Sequence, residues 1–194
     1  MEPWQRKVTE WSRSPSLFVR EALGATPEAW QEEVLAAIEG GARRIAIRAG
    51  HGVGKTALES WTVLWSLLFR RPCKIPITAN SQDQLRDVVW AEIALWWRKM
   101  PPFLKDLIEL TSERVFIKSD PEGAFAVART ARPEKPEALQ GFHSPNLFFL
   151  LEEASGIEDI IFETAGGALT GETAFVLMAG NATRGQGYFH RAFH

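Results

Sequence analysis

The sequence predicts an α/β domain in which helices flank a mainly parallel β-sheet. Short apolar runs typical of strands alternate with longer segments of helical periodicity along the 194 residues. Residues 147–151, Leu-Phe-Phe-Leu-Leu, contain no polar residue, as is typical of a strand buried on both faces of a parallel sheet. A glycine-rich loop joins the apolar run at residues 45–47 to a long apolar segment at residues 57–69. Alternation of this kind indicates an α/β architecture.

The composition fits one sizeable domain with its own core, because 45% of the residues are apolar. The net charge of −2 does not indicate a free-standing nucleic-acid binder, so we expect any such contact to be local or built up in an assembly. The single cysteine, Cys73, excludes an intramolecular disulfide and suits a reducing cytoplasm. The sequence shows neither a bilayer-spanning stretch nor a signal-peptide pattern, so no membrane association is expected.

The N-terminal part of the chain is predicted to be helical. The first 24 residues read as two short helical pieces, separated at Pro15. Thr26 and Pro27 then predict the N-cap and the first position of a longer helix, which stops at a pair of glycines. We therefore expect a helical appendage over residues 1–25, followed by the main domain over residues 26–194.

The segment after the glycine-rich loop continues the alternation. Trp61 and Trp65, one helical turn apart, are expected to pack their helix on the sheet rather than to bind a ligand. Residues 74–79 predict a second strand, in which Pro76 favours an edge position because proline cannot donate a ladder hydrogen bond. A long helix with polar residues at its start is predicted to follow and to end at Met100.

The second half of the chain is predicted to supply further strands. Residues 115–118 and 125–130 alternate like the two strands of a hairpin. Residues 131–141, rich in proline and charge, are expected to form a mobile connection. A last strand at residues 174–179 follows a glycine-rich link. Residues 188–194 begin a helix that no capping residue closes, from which we expect the chain to be part of a longer parent.

The loop at residues 48–56, Arg-Ala-Gly-His-Gly-Val-Gly-Lys-Thr, has the features of a phosphate-binding P-loop. Its glycines let the backbone approach phosphates, and the following helix presents free N–H groups to negative charge. Lys55 is expected to reach the β- and γ-phosphates, and the Thr56 hydroxyl to ligate Mg²⁺. Ala49 departs from the common pattern, and an ordinary turn is the competing interpretation. The other loop residues expected at the nucleotide are Arg48, Gly50, His51, Gly52, Val53 and Gly54.

Two glutamates follow the apolar run at residues 147–151 directly. A carboxylate at the end of a buried strand beside the P-loop strand is suited to hold Mg²⁺, and a second carboxylate can activate the attacking water. We assign the metal role to Glu152 and the catalytic-base role to Glu153. Glutamate is unusual at the metal position, where aspartate is more common. The competing interpretation is a pair of solvated acids at a strand end.

Polar residues also follow the last predicted strand. In P-loop ATPases with an added catalytic glutamate, this strand lies between the P-loop strand and the metal-site strand. Asn181 and Thr183 would then lie beside the γ-phosphate and sense whether it is present. A plain turn after a strand is the competing interpretation.

Taken together, these segments resemble the N-terminal ATPase domain of the large terminase subunit of tailed bacteriophages. Residues 27–31 are similar to the adenine-recognising Q motif, and residues 48–56 to the terminase Walker A motif. Residues 147–153 are similar to Walker B with its catalytic glutamate, and residues 180–183 to the coupling motif. Residues 138–143, before Walker B, also resemble terminase sequences.

The resemblance implies a P-loop NTPase fold of the additional-strand, catalytic-glutamate class, with ATP and Mg²⁺ bound and Gln31 hydrogen-bonded to the adenine. It implies a ring of subunits, a pentamer, that docks on the portal protein of a procapsid in the bacterial host's cytoplasm. There it would drive double-stranded DNA inward by hydrolysing ATP, with the small terminase subunit as a further partner. The isolated chain is expected to be a monomer.

Packaging motors also need an arginine finger that offsets transition-state charge. Arg129 and Arg132 are candidates to act from a neighbouring subunit, and Arg48 to act within its own subunit. Terminases also carry a C-terminal RNase H-like nuclease, and this chain ends before such a domain. We therefore expect this fragment not to cut DNA.

Two other functions are compatible with these motifs. A DNA helicase or other nucleic-acid translocase has similar Q and Walker motifs, although a two-lobed helicase needs a second recA-like lobe that this sequence lacks. A nucleotide-binding assembly module that does not hydrolyse ATP is the other alternative, because Ala49 and Glu152 depart from the common patterns.

Overall fold

A mixed β-sheet forms the centre of the protein in the computed structural model, which describes residues 3–79, 81–130, 139, 141–169 and 171–194. Within these residues the sheet has seven strands. The strands are β1 (Arg44–Arg48), β2 (Cys73–Thr78), β3 (Ile108–Leu110), β4 (Arg114–Ile117), β5 (Ala124–Ala128), β6 (Asn146–Leu151) and β7 (Phe175–Gly180).

The strand order is β1-β7-β6-β2-β5-β4-β3. The first five strands in this order run parallel to one another. β4 runs antiparallel to both of its neighbours, β5 and β3, and β3 forms one edge of the sheet. The predicted mainly parallel sheet and the predicted hairpin, β4 with β5, are therefore confirmed. β3 was not predicted. β7 lies between β1, which precedes the P-loop, and β6, which precedes the two glutamates. The predicted placement of this strand is therefore also confirmed.

Helices cover both faces of the sheet. A π-helical stretch, Phe18–Ala22, continues α2, and another, Leu85–Trp90, joins α5 to α6. A short 3-10 helix, Ala154–Gly156, follows β6. The α-helices are α1 (Pro3–Arg13), α2 (Pro15–Leu17), α3 (Ala29–Glu39), α4 (Lys55–Phe69), α5 (Gln82–Gln84), α6 (Ala91–Lys99), α7 (Pro102–Lys105), α8 (Asp159–Gly167) and α9 (Tyr188–Arg191).

β6 separates two parts of the core, because its side chains alternate between the sheet faces. Phe148 and Leu150 join the core beneath α1, α4 and α6, and Leu147, Phe149 and Leu151 join the core beneath α8. The Phe148 ring stacks on Phe175 of β7, with ring centroids 4.3 Å apart. Burial on both faces explains the unbroken apolar run in the sequence.

The helix after the P-loop is buried on nearly all sides, and its tryptophans pack as predicted. Trp61 is 3% exposed and Trp65 is 1% exposed. Both belong to the core cluster that contains side chains of β1, β2 and β6, and they also contact neighbouring helices. Trp65 Nε1 donates a hydrogen bond of 2.8 Å to the carbonyl of Trp11 in α1, and the Trp61 ring meets Trp96 of α6 edge to face.

Trp11 of α1 and Phe18, Val19 and Ala22 of the following π-helical stretch belong to the same core as the sheet. The N-terminal helices therefore pack on the main body of the chain. The boundary between an appendage over residues 1–25 and a domain over residues 26–194 stays a prediction. Among the described residues, no helix has the length and apolar character needed to cross a membrane.

The prediction that Pro76 marks an edge strand is wrong. β2 lies inside the sheet, between β6 and β5. On the β5 side the strand pairing is continuous and includes the pair Pro76↔Val127. On the β6 side the pairing is interrupted between Lys74 and Ile77. The ladder is interrupted on one side only, so the missing N–H of proline is tolerated in a central strand.

Two further predictions on local structure need correction. The N-cap of α3 is Glu28 rather than Thr26, so Pro27 lies before the helix instead of at its first position. The predicted glycine-rich link between β6 and β7 contains α8, whose Ile161 and Phe162 pack in the core. The predicted mobile connection at residues 131–141 lies outside the described residues except for Leu139 and Gly141.

Candidate nucleotide-binding site

The P-loop connects the carboxyl end of β1 to the start of α4. Gly52 has φ +72° and Gly54 has φ +87°, a left-handed conformation that L-residues with a side chain rarely adopt. Gly54 is the N-cap of α4. The first N–H groups of α4 have no partner within the helix, so they are available to an anion at this end.

Lys55 and Thr56 begin α4 and lie beside the end of β6. Lys55 is 6% exposed, and its Nζ donates to the carbonyls of Ala49 (3.2 Å) and Gly50 (2.6 Å). Thr56 Oγ1 donates a hydrogen bond of 3.2 Å to Glu152 Oε1. The two predicted metal ligands are therefore in direct contact.

Glu152 is 2% exposed, and its Oε2 is buried without a hydrogen-bond partner. A buried carboxylate oxygen without a partner is costly unless a cation or donor completes its surroundings. The Thr56 hydroxyl and the Glu152 carboxylate form an oxygen-only set, which suits Mg²⁺. The described part of the chain holds no group of three or more His, Cys, Asp or Glu residues that could bind a metal. Two protein ligands supplemented by phosphates and water are the usual arrangement for Mg²⁺.

Glu59 is a second buried carboxyl group at this place. It lies one turn after Lys55 in α4 and is 0% exposed. Burial raises the pKa of Glu59 well above its ordinary range, and the neighbouring Glu152 raises it further. If Glu59 and Glu152 were both ionised, they could not hydrogen-bond to each other, because a carboxylate only accepts. Both oxygens of an ionised Glu59 would then be buried without a partner. A proton on Glu59 makes its carboxyl group a donor to Glu152.

Glu153 has a left-handed backbone conformation, with φ 49° and ψ 47°. It has the only positive φ among the described residues other than glycine. This conformation turns the chain sharply between β6 and the 3-10 helix. Gly180, the last residue of β7, packs against that turn, because a Cβ atom at Gly180 would lie 2.9 Å from the Ala154 nitrogen. The turn after Walker B and the end of β7 are thus tightly packed together.

A single cleft of about 630 Å³ contains the P-loop and both glutamates. Its volume lies within the range of ordinary ligand sites. The lysine-bearing loop and the glutamate pair, far apart in the sequence, therefore line the same space. The cleft is lined by His51, Gly52, Gly54, Lys55, Thr56, Ala57, Asp83, Gln84, Asp87, Val88, Glu92, Glu152 and Glu153.

Several predicted site residues lie around this cleft without lining it. Arg48 is exposed, and its guanidinium lies 5.0 Å from the centroid of the Phe193 ring. Gly50 and Val53 belong to the loop, and Val53 is 41% exposed. Gln31 is 3% exposed, and its amide bonds to protein backbone, so its assignment to the adenine stays a prediction.

The residues predicted to sense the γ-phosphate lie at the carboxyl end of β7, next to the turn that follows β6. The hydroxyls of Thr183 and Ser155 are joined by a hydrogen bond of 2.9 Å. Asn181 is half-buried, and its carbonyl accepts a hydrogen bond from the Thr183 N–H. Both residues flank Walker B, and their role as sensors stays a prediction.

The candidate arginine fingers are also outside the cleft lining. Arg129 is exposed just after β5, where its Nη1 donates to the Ala128 carbonyl and its guanidinium lies 6.0 Å from the Phe142 ring centroid. Arg132 lies outside the described residues. The position of Arg129 leaves it open to a neighbouring molecule.

Sequence reasoning missed one wall of the cleft. The helical segment from α5 to α6 contributes three carboxylates, Asp83, Asp87 and Glu92. Arg86 forms ion pairs with both Asp83 and Asp87. The acids recur at helical spacing on the polar side of this helix, but its polar residues served only to predict where the helix starts. The glutamate in the apolar segment at residues 57–69 was a further signal, because an acid in a buried helix needs a partner.

Comparison with known proteins agrees with the resemblance inferred from the motifs. No model of a known protein family matches the chain. The chain is 29% identical over 176 residues, 89% of its length, to a probable terminase large subunit of Enterobacteria phage P7. It spans about a third of that relative, 35% of its length.

Solved structures of large terminases share the fold. The chain matches the large terminase ATPase domain of Thermus phage P74-26 with a TM-score of 0.62 and 20% identity, covering 93% of this chain and 74% of that one. The large terminase of bacteriophage HK97 matches with a TM-score of 0.66 and 14% identity, covering 95% and 39%. The large terminase of a thermophilic bacteriophage, solved in complex with ADP, matches with a TM-score of 0.53 and 14% identity, covering 92% and 38%. The predicted P-loop NTPase fold and the resemblance to large-terminase ATPase domains are confirmed.

Proposed function

We propose that this chain is the ATPase motor domain of a large terminase subunit, which hydrolyses ATP to move double-stranded DNA into a procapsid. One observation carries the proposal. The P-loop residue Thr56 and the Walker B residue Glu152 are hydrogen-bonded across one cleft that also contains Lys55 and Glu153. The residues that we propose for phosphate binding, metal binding and water activation therefore lie close together, which supports the proposal.

The P-loop and α4 provide the binding of the triphosphate. The N–H groups at the start of α4 would face the phosphates, and the Lys55 ammonium would add a positive charge. The Lys55 ammonium now donates to the carbonyls of Ala49 and Gly50. To reach the β- and γ-phosphates it would give up these hydrogen bonds and donate to phosphate oxygens instead. Thr56 and Glu152 would hold Mg²⁺, which when bound offsets the charge of the phosphate oxygens.

Glu153 is the proposed general base. It follows Glu152 directly and lines the cleft. Because its backbone is left-handed, its side chain leaves the chain in a direction that differs from that of a residue continuing the strand. In hydrolysis the carboxylate accepts a proton from a water whose oxygen attacks the γ-phosphorus. The bond from that phosphorus to the bridging oxygen breaks, and ADP leaves.

The remaining parts of the motor are proposed from the resemblance. Asn181 and Thr183 would sense whether the γ-phosphate is present. The hydrogen bond between Thr183 and Ser155 would transmit that state to the turn after β6. Arg129 or Arg132 would act as a finger in a neighbouring subunit, with Arg48 as the alternative within one subunit. The partners would be double-stranded DNA, the portal protein, the small terminase subunit and further copies in a ring of five, in the cytoplasm of a bacterial host.

The test compares ATP binding with phosphate release for the chain and two variants in Mg²⁺ buffer. Lys55→Ala is expected to lose binding and turnover together, and Glu153→Gln to bind ATP while turnover falls on the order of 100-fold or more. ATP binding without hydrolysis by the parent chain would support an assembly module instead. Turnover that is unchanged in Glu153→Gln would refute the assignment of the base.

The packaging role needs a separate test. The coding sequence beyond His194 is expected to encode a nuclease with clustered acidic residues. A second recA-like lobe there would support a helicase and overturn the packaging proposal, while leaving the ATPase proposal intact.

A further inference from the structure

Gln31 connects α3 to the P-loop through both ends of its side-chain amide. Its Oε1 accepts a hydrogen bond of 2.8 Å from the Glu28 N–H. Its Nε2 donates a hydrogen bond of 2.9 Å to the carbonyl of Gly54, 23 residues further along the chain. The side chain is 3% exposed. Two bonds in opposite directions hold the amide in one orientation.

The contact with Gly54 depends on the absence of a side chain there. A Cβ atom at Gly54 would lie 2.8 Å from Gln31 Nε2. The left-handed φ of +87° at the same position also favours glycine. The last glycine of the P-loop thus serves two purposes, since it allows the turn into α4 and makes room for Gln31.

The Gly54 carbonyl accepts two hydrogen bonds, from Gln31 Nε2 and from the Leu58 N–H of α4. In a planar trans peptide the carbonyl and the following N–H point in opposite directions. Fixing the Gly54 carbonyl therefore fixes the direction of the Lys55 N–H, which belongs to the same peptide. That N–H is among the free donors at the start of α4, on the side where phosphates bind.

We propose that Gln31 is a positioning residue for the phosphate-binding loop: it holds the Gly54–Lys55 peptide in the orientation that binds a triphosphate, whatever base the nucleotide carries. This inference rests on the proposed nucleotide-binding function. It assigns Gln31 a role that differs from reading adenine. Gln31 does not line the cleft, and the oxygen and nitrogen of its amide already have backbone partners.

Three variants separate this role from helix capping and from base recognition. Gln31→Glu keeps an acceptor for the Glu28 N–H but places a second acceptor against the Gly54 carbonyl. Gln31→Ala removes both bonds. Glu33→Ala is the matched control, because it removes an exposed side chain from the same helix and leaves both hydrogen bonds of Gln31 in place.

The experiment measures the affinity of each variant for ATP, GTP and inorganic tripolyphosphate by calorimetry in Mg²⁺ buffer, with thermal unfolding as the check on folding. Loss of one hydrogen bond that orients the loop predicts an affinity about tenfold weaker for Gln31→Glu and for Gln31→Ala. The same factor is expected for all three ligands, and Glu33→Ala is expected to bind like the parent. If Gln31→Ala does not fold, Gln31→Glu carries the test.

The outcomes are distinct. An equal loss for the three ligands supports the inference. A loss confined to ATP identifies Gln31 as an adenine reader and overturns it, as does unchanged affinity in the folded variants. Failure of the parent chain to bind any of the three ligands would instead refute the proposed nucleotide-binding function, and this inference with it.

Discussion

Thr56 and Glu152 are 96 residues apart in the sequence, yet the Thr56 hydroxyl donates a hydrogen bond of 3.2 Å to the Glu152 carboxylate. The contact joins the start of α4 to the end of β6. Glu152 accepts this bond through one oxygen, and the neighbouring buried carboxyl group of Glu59 can donate a second hydrogen bond to it. A hydroxyl and a carboxylate held together in this way are oxygen ligands of the kind that the proposed Mg²⁺ site needs.

The first prediction concerns the Thr56 hydroxyl. Thr56→Val keeps the shape of the side chain but removes the oxygen, so ATP binding should require on the order of 10–100-fold more Mg²⁺. Thr56→Ser retains the oxygen and should remain close to the parent. A Mg²⁺ titration of ATP binding measures both. Equal Mg²⁺ requirements for the valine and serine variants would remove Thr56 from the metal site.

The second prediction concerns the close packing at Gly180. Gly180→Ala would place a Cβ atom 2.9 Å from the Ala154 nitrogen and 3.1 Å from the Ser155 nitrogen, both of them backbone atoms. Because backbone cannot move aside cheaply, the free energy of unfolding should fall by about 1–3 kcal/mol in urea denaturation. The displaced turn carries Glu153, so ATP turnover should fall as well.

Gly185→Ala is the control for that substitution. It adds a methyl group a few residues further on, where no atom lies within 4 Å. Its unfolding free energy should stay close to that of the parent. Equal stability of the two alanine variants would contradict the packing argument.

The third prediction concerns the buried Glu59 and the pH dependence of stability. Its pKa is higher in the folded chain than the ordinary value of 4.5, chiefly because of burial. The folded protein therefore holds this proton more tightly than the unfolded chain. The resulting contribution to stability is complete below the unfolded pKa and is lost as the pH rises through the folded pKa.

Glu59→Gln replaces the protonated carboxyl group with a neutral amide of similar shape. The difference in melting temperature between Glu59→Gln and the parent should therefore shift in favour of the variant as the pH rises above about 4.5. Thermal unfolding at a series of pH values measures this difference. A difference that is independent of pH would show that Glu59 is ionised in the same way in both states.

The fourth prediction concerns the exposed Arg129. If a finger from a neighbouring subunit completes the site, the chain should hydrolyse ATP slowly as a monomer, and turnover per subunit should rise with protein concentration. Arg129→Ala should abolish that rise without changing the melting temperature, because the side chain is exposed. Steady-state turnover over a dilution series is the measurement. Turnover that is fast and constant on dilution would exclude a finger in trans.

The candidate site residues could be selected from the sequence because the motifs that contain them are local. The predicted P-loop is a glycine loop that ends in Lys55 and Thr56, and the predicted metal and base residues are two glutamates that follow a buried strand. Each motif falls within a few consecutive residues. The same holds for the alternation of strands and helices, which predicted a mainly parallel sheet.

Only the tertiary structure decided which separate segments meet. Pro76 suggested an edge strand, but the order of strands places β2 inside the sheet. Gln31 pairs with the Gly54 carbonyl, and Glu59 lies against Glu152, although neither partner is near in sequence. The acidic wall of the cleft comes from a helix whose sequence was dominated by its apolar face. These contacts depend on the packing of α3, α4 and α6 around the sheet, and packing is a property of the whole chain rather than of any short stretch.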